Sequence, residues 1–314
     1  MRLNKPKFWD DQKISFWSIL LFPFSIIYLI TFFIIKILKK KLFHYNCPIP
    51  IICVGNIYVG GTGKTPLAIE IFKFVKSNGY NPAFIKKDYD YLMDEARMLK
   101  ETGEIFQSSN RKAAIDLSIK NRHNVAILDD GFQDFSIEPN FSILCFNSKQ
   151  LIGNGFVIPS GPLRDRLSSI KKADCIIING NKNDETLNFE SKISRNFKNK
   201  KFHFFYSNYK IKNIKELKNY KITAFAGIGN PSNFFDLLKE NNLNVIKTYS
   251  FPDHHNYSKR DFEKIIGNSS TKIITTKKDY YRMNNTQKQK CSYVDIILEI
   301  NNKDKLKSLI QTYL

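Results

Sequence analysis

The apolar run Cys47 to Val54 leads within a few residues into Gly60-Gly61-Thr62-Gly63-Lys64-Thr65-Pro66. Leu67, Ala68, Ile71, Phe72 and Val75 then recur at helical spacing, with Glu70, Lys73 and Lys76 opposite and Asn78-Gly79 as a stop. Strand, glycine-rich loop and helix in immediate succession form the opening of a βαβ unit. Small residues there let backbone N–H groups curl around phosphate at the helix N-terminus. Lys64 is of a length to reach phosphate oxygens, and Thr65 offers a hydroxyl to Mg²⁺. Pro66 falls in the first turn, where its missing N–H costs nothing. The usual phosphate-loop pattern begins with a glycine five residues before Gly63, where this chain has Tyr58. The context therefore carries the reading, against the alternative of an ordinary glycine-rich turn. The candidate nucleotide-binding residues are Gly60, Gly61, Thr62, Gly63, Lys64 and Thr65.

A second apolar strand, Val125 to Leu128, ends in Asp129-Asp130-Gly131, the way such folds present a carboxylate to a metal at the C-terminal edge of a sheet. Thr65, Asp129 and Asp130 are the candidate metal ligands. Further short apolar runs at 83–85, 141–145 and 175–178 alternate with helical or loop stretches, as in a parallel sheet. Residues 181–218, rich in Asn and Lys, read as a linker with one strand at 202–206. Alternating signals from Ile222 to Thr275 suggest a smaller α/β unit. The expected fold class is α/β: a P-loop NTPase-like parallel-sheet domain with an N-terminal membrane helix and a second, smaller α/β domain. The expected division is 1–46 as membrane anchor, 47–180 as the P-loop domain, 181–218 as linker and 219–314 as the smaller domain.

From Ile14 to Ile35 no residue is charged, a stretch long enough to cross a hydrocarbon core of about 30 Å as a helix. It ends in Lys36, Lys39, Lys40 and Lys41 rather than a small-residue cleavage site, which argues for an anchor rather than a removed leader. Pro23 inside the run and basic residues at both ends leave spanning and half-inserted arrangements open. The 49 Lys and Arg outnumber the 29 Asp and Glu, giving a net charge of +20. Such a field favours polyanions without choosing among nucleotide, nucleic acid and anionic lipid. Hydrophobic residues at 42% exclude an intrinsically disordered chain. Five scattered cysteines, with no CxxC pair, give no disulfide framework and fit a reducing compartment.

Read in order, Val54-Gly55-Asn56, Val59 to Pro66, Asp129-Asp130-Gly131-Phe132-Gln133, Gly153-Asn154-Gly155 and Pro159-Ser160-Gly161-Pro162-Leu163-Arg164 resemble the successive signatures of the tetraacyldisaccharide 4'-kinases. Ala226-Gly227-Ile228-Gly229-Asn230-Pro231 and Phe251-Pro252-Asp253-His254-His255 resemble the signatures of that family's C-terminal domain. The resemblance implies an ATP- and Mg²⁺-dependent kinase that phosphorylates the 4'-hydroxyl of the tetraacyldisaccharide 1-phosphate precursor of lipid A. It also implies a place on the cytoplasmic face of the inner membrane of a Gram-negative bacterium, with that lipid and the membrane surface as partners and no nucleic acid. By the same resemblance Asp94 matches the catalytic base and His254 its partner, with Lys64 as the third catalytic group. Gln133 and Arg164 are candidates for substrate or phosphate contacts.

The chain departs from the family pattern at several positions. Lys86-Lys87-Asp88-Tyr89 stands where Ser-Arg-Gly-Tyr is usual, Met93 replaces a glycine, Asp134 a histidine and Lys277 an acidic residue. Asp94 falls in the expected P-loop domain and His254 in the smaller one, so their meeting would require those domains to close. His44, His123 and His203 carry no motif and read as surface residues. Two other functions compete: a membrane-associated P-loop ATPase of the targeting or partitioning type, and a nucleotide-gated membrane adaptor. The partitioning ATPases usually carry a signature lysine where this chain has Val59.

Overall fold

A computed structural model describes residues 5–11, 13–42, 45–88, 93–267 and 270–314. His44, Tyr89 and parts of the expected 1–46 anchor lie outside the described residues. The strands are β1 (Ile51–Gly55), β2 (Pro82–Lys87), β3 (Ile105–Ser108), β4 (Val125–Asp129), β5 (Phe141–Asn147), β6 (Cys175–Asn179), β7 (His203–Ile211), β8 (Ile222–Ala226), β9 (Val245–Ser250), β10 (Lys272–Thr276), β11 (Ser292–Val294) and β12 (Ile296–Ile300). They form an eight-stranded sheet, β12-β7-β6-β5-β1-β4-β2-β3, and a four-stranded one, β11-β10-β8-β9.

The chain divides into two compact units. The first comprises Met1–Asp88, Thr102–Asn208 and Ile300–Leu314, and the second Tyr89–Glu101 and Tyr209–Glu299. In the first unit β1 lies between β4 and β5, parallel to both. Every residue of β1, β4 and β5 is buried, as expected of strands covered on both faces. The chain goes from β1 outward past β4, then returns across β1 to reach β5. The C-terminal end of β1 is therefore the topological switch point, where open α/β sheets place their ligands.

In the second unit β8 pairs in parallel with β9 and β10. Ala226 is level with Ser250, and Phe225 with Thr275. The segments that follow these three strands thus leave the same sheet edge.

Several expectations need correction. The two units do not divide at 180/181 or 218/219: the Met93–Lys100 helix groups with the second unit, and residues 300–314 with the first. The stretch expected as a linker instead holds a helix, Asp184–Asn196, and the long strand β7. Asn183 and Thr186 form a capping box, and Thr186, Phe189 and Ile193 bury one helical stripe. Two apolar positions and a buried threonine suffice for a helix laid on a sheet, although they are too few to stand out in a polar sequence. His123 is buried rather than exposed, with its Nε2 3.0 Å from Glu104.

The N-terminal helix runs unbroken through Pro23, from Phe16 to Leu42. Ser18 and Ser25 are buried on it, while Phe16, Ile19, Ile27, Ile30 and Ile34 are exposed. The Ser25 hydroxyl lies 2.8 Å from both the Val157 carbonyl and Ser160 Oγ, Asn154 Nδ2 donates to Ser18 Oγ, and Tyr28 donates to the Arg164 carbonyl. One polar seam thus fastens the helix to segment 153–164, and a broad apolar face is left outward. A Cβ on Gly153 would meet the Trp9 carbonyl oxygen at 2.2 Å, and one on Gly161 would meet Asn154 Oδ1 at 2.1 Å. Those glycines are what let the seam close.

Candidate active site

The loop after β1 is shaped from within. Asn56 Nδ2 donates to the Tyr58 carbonyl at 2.7 Å and to Thr62 Oγ1 at 2.9 Å, pulling the loop into an arch. Gly63 caps the Lys64–Ser77 helix with φ 86°, a left-handed conformation that a side chain would strain. Gly61 has open space around it. Tyr58, in place of the usual first glycine, is fully buried and forms an antiparallel bridge with Leu163. Val59 and Arg164 donate backbone N–H bonds across to the Pro162 and Ile57 carbonyls, so residues 162–164 buttress the arch. Gln133 Nε2 donates to the Asn56 carbonyl at 2.6 Å, which makes Gln133 a support of the loop.

Asp129 and Asp130 follow β4 beside this arch but face different partners. Asp129 Oδ2 accepts from Thr65 Oγ1 at 3.1 Å and from Lys86 Nζ at 2.6 Å. Asp129 Oδ1 is buried without a hydrogen-bond partner among the described residues. Asp130, at φ 60°, has both carboxylate oxygens 3.1 Å from Arg164 Nη1 and lies 3.6 Å from Lys64 Nζ. Burial alone would raise its pKa, but Lys64 and Arg164 hold the carboxyl well below the usual range. Arg111 bonds the Asp130 carbonyl at 2.7 Å and Asp134 at 2.9 Å, so the aspartate found where a histidine is usual serves as an arginine partner.

In the second unit Asp94 comes from the first turn of the Met93–Lys100 helix, and His254 from the turn after β9. His254 Nδ1 is 3.4 Å from Asp94 Oδ2, and Arg282 Nε donates to that same oxygen at 2.8 Å. The contact is made within one unit, so the expectation that it requires two domains to close is corrected. Arg282 Nη1 also bonds the Gly227 carbonyl at 2.8 Å and Asp279 at 3.1 Å. Asp279 is anchored in turn by Tyr257, Thr276 and the Gly227 N–H. Burial pushes the Asp94 carboxyl up, but His254, Lys278 and Arg282 outweigh it and bring the pKa to about 2. His255 points elsewhere, with Nε2 3.0 Å from Asp261 and its ring stacked on Phe251. Lys277, at the position of the usual acidic residue, pairs with Glu101 at 2.6 Å.

Sequence reasoning missed Lys86, Arg111 and Arg282. Lys86 had a visible signal, a charge closing the apolar run 83–85. Arg282 had none, since only the packing of its helix against Met93–Lys100 reveals its partner.

Comparison with known proteins identifies the family and the fold. The tetraacyldisaccharide-1-P 4'-kinase (LpxK) family model matches residues 17–314. A tetraacyldisaccharide 4'-kinase of Pelagibacter ubique is 42% identical over 311 residues, covering 98% of this chain and 96% of that protein. The corresponding protein of Rickettsia canadensis is 32% identical, covering 99% and 97%. The crystal structure of LpxK from Aquifex aeolicus in complex with ATP superposes with a TM-score of 0.71 at 22% identity, over 94% of this chain and 99% of that one, and shows a shared fold. With its motifs, fold and full-length relatives in agreement, the chain belongs to the tetraacyldisaccharide-1-P 4'-kinase family.

Proposed function

We propose that the chain, a kinase by its family, transfers the γ-phosphoryl group of ATP to the 4'-hydroxyl of the tetraacyldisaccharide 1-phosphate precursor of lipid A, at the cytoplasmic face of the inner membrane of a Gram-negative bacterium. The observation that carries this reading is the convergence of Lys64, Thr65 and a half-satisfied, buried Asp129 at the switch point of the sheet. The backbone of Gly60, Gly61, Thr62 and Gly63 would cradle the phosphates, and Lys64 would turn from Asp130 toward their oxygens.

The donor set suits Mg²⁺, a hard cation that takes oxygen ligands: the Thr65 hydroxyl and the unpartnered Asp129 Oδ1 are the oxygens available to it. Asp130 is a weaker candidate ligand because both its oxygens already meet Arg164. When bound, the metal would neutralise charge developing on the phosphates.

Asp94 supplies an acceptor for the 4'-hydroxyl proton at Oδ1, which is buried and has no partner among the described residues, while Oδ2 is held by Arg282. His254 beside it orients the carboxylate. The outward apolar face of the Phe16–Leu42 helix, fastened through Ser18 and Ser25, fits an anchor lying in one leaflet, close to a lipid acceptor.

Incubation of the full-length chain with γ-labelled ATP, Mg²⁺ and detergent-dispersed tetraacyldisaccharide 1-phosphate tests the reading. Label should appear in the lipid. Release of label only as inorganic phosphate would favour the partitioning-type ATPase, and nucleotide binding without turnover would favour the adaptor.

A further inference from the structure

The uncharged run of the N-terminal helix ends at Ile35, and Lys36 is the first charge beyond it. With the apolar face buried in a leaflet, that position falls where hydrocarbon gives way to headgroups. Tyr28, Phe32 and Lys36 recur every four residues, on the half-buried stripe of the helix that also carries Ser25. Tyr28 stacks on Phe32 with ring centroids 5.9 Å apart, and Phe32 meets Phe135 edge to face at 5.3 Å. Phe135 is thereby fixed as a platform on which two cations converge. Lys36 Nζ lies 5.1 Å from its ring centroid, and Lys172 Nζ, at the end of the short 3₁₀ helix Leu167–Lys172, lies 4.3 Å from it. Each ammonium gains from the ring, but two of them sharing it repel each other. Neither makes an ion pair with a carboxylate among the described residues. Desolvation, followed by the charges of Lys36 and Lys40, draws the Lys172 pKa below the usual lysine range, and Asp165 opposes them. Three lysines therefore face one carboxylate. Lys172 and Lys40 are both exposed, so an anion can reach the pair, and its charge would relieve the repulsion.

We propose that Lys36 and Lys172, held over Phe135, form a binding site for the phosphate of an anionic phospholipid headgroup, so that the N-terminal helix both enters the leaflet and grips one of its lipids. The occupant is a bilayer lipid because Lys36 directly follows the apolar run. A headgroup is presented to the pair at high local concentration once the helix lies in the leaflet, and free phosphate is not. The lipid is anionic because the ammonium of a zwitterionic headgroup would add another cation where cations are already in excess. The proposal rests on the reading of this helix as an anchor lying in one leaflet.

The experiment is sedimentation of the full-length chain with vesicles of phosphatidylcholine alone or of phosphatidylcholine with about one third phosphatidylglycerol, in about 0.5 M NaCl, where diffuse attraction between exposed charges is screened. The chains are the wild type, Lys36→Gln/Lys172→Gln and Lys39→Gln/Lys41→Gln, which removes the same formal charge from the same end of the helix. Wild type should prefer the phosphatidylglycerol vesicles by about tenfold, on the order of the attraction of two lysines for an anionic surface. Lys36→Gln/Lys172→Gln should bind both vesicles within about twofold of each other, keeping its affinity for phosphatidylcholine, and Lys39→Gln/Lys41→Gln should keep the wild-type preference. In neutral detergent without phospholipid, the KM of Lys36→Gln/Lys172→Gln for tetraacyldisaccharide 1-phosphate should match the wild type. A wild type without preference at this salt would overturn the proposal and leave the anchor standing. Equal loss of preference in both double variants would reduce the pair to part of a diffuse basic surface and overturn it as well. A raised KM with the vesicle preference intact would assign the pair to the acceptor's own phosphate instead. Failure of the wild type to sediment with either vesicle would remove the anchor reading and the proposal with it.

Discussion

Asp94 Oδ2 accepts a hydrogen bond from Arg282 Nε at 2.8 Å and stands 3.4 Å from His254 Nδ1, while Asp94 Oδ1 is left without a partner among the described residues. One edge of the carboxylate is held and the other presented. Arg282 is fixed in its turn by Asp279 and the Gly227 carbonyl, so the edge left unbonded is set by a chain of bonds through the second unit.

This arrangement determines a pH dependence. Asp94 has its pKa lowered to about 2, so it is ionised throughout the working range, and the stabilisation it draws from its cationic partners is lost only as pH falls toward that value. The wild-type kcat profile should therefore show no acid limb from Asp94 above pH ~4. Arg282→Gln removes one of the groups opposing the burial of Asp94. Its carboxyl should shift upward, an acid limb should appear in the profile, and kcat at neutral pH should fall by about tenfold with the ATP KM little changed. An Arg282→Gln profile identical to the wild type would show that Arg282 does not act through Asp94.

Asp94 and His254 touch, so they are expected to behave as one unit. Asp94→Ala should lower kcat by about 10²- to 10⁴-fold at saturating ATP, and Asp94→Ala/His254→Ala should be little worse than the poorer single variant. His255→Ala should be milder, because that ring is turned toward Phe251 and Asp261. Multiplicative losses in the double variant would assign the two residues separate roles.

Lys64→Ala should lower phosphoryl transfer by at least about 10²-fold while leaving the fold intact, since Lys64 is partly exposed and Asp130 keeps its pair with Arg164. Activity close to wild type, with an unchanged circular dichroism spectrum, would refute the phosphate loop.

Membrane attachment is expected to reside in the outward face of the N-terminal helix. Deleting residues 1–41 would also break the seam through Ser18, Ser25 and Tyr28, so loss of binding there would not isolate the anchor. Ile27→Ser/Ile30→Ser/Ile34→Ser changes exposed positions alone and should abolish sedimentation with vesicles at high salt, where attraction of the basic surface to anionic lipid is screened. Undiminished sedimentation of the triple variant would place the anchor elsewhere.

The seam itself can be probed at Gly161, where a Cβ would come within 2.5 Å of the Phe156 carbonyl oxygen as well as against Asn154. Gly161→Ala should destabilise the chain by about 2 kcal/mol or more, read as a lowered thermal midpoint. An unchanged midpoint would mean that segment 153–164 can shift without cost.

The sequence by itself determined those features that depend on neighbours along the chain. A buried strand followed by Gly60 to Thr65 and an amphipathic helix specifies a phosphate arch, because loop geometry and helix N-terminus are local properties. The strand ending at Asp129 and the uncharged run from Ile14 to Ile35 were legible for the same reason. What only the tertiary structure decided depends on which distant segments meet. Asp94 joins the second unit because its short helix packs on Lys277–Arg282, an association with no trace in local composition. The two carboxylates of Asp129-Asp130 read as equivalent in sequence, yet they diverge in the fold. Asp129 continues β4 toward Thr65 and Lys86, whereas Asp130, one residue on and at positive φ, swings to Arg164 and Lys64. Lys86 read as a departure from the family pattern and as a charge closing an apolar run, and only the parallel pairing of β2 with β4 set it against Asp129. Electrostatic partners of this kind are fixed by register and packing between strands far apart in sequence, and a chain read residue by residue does not contain that register.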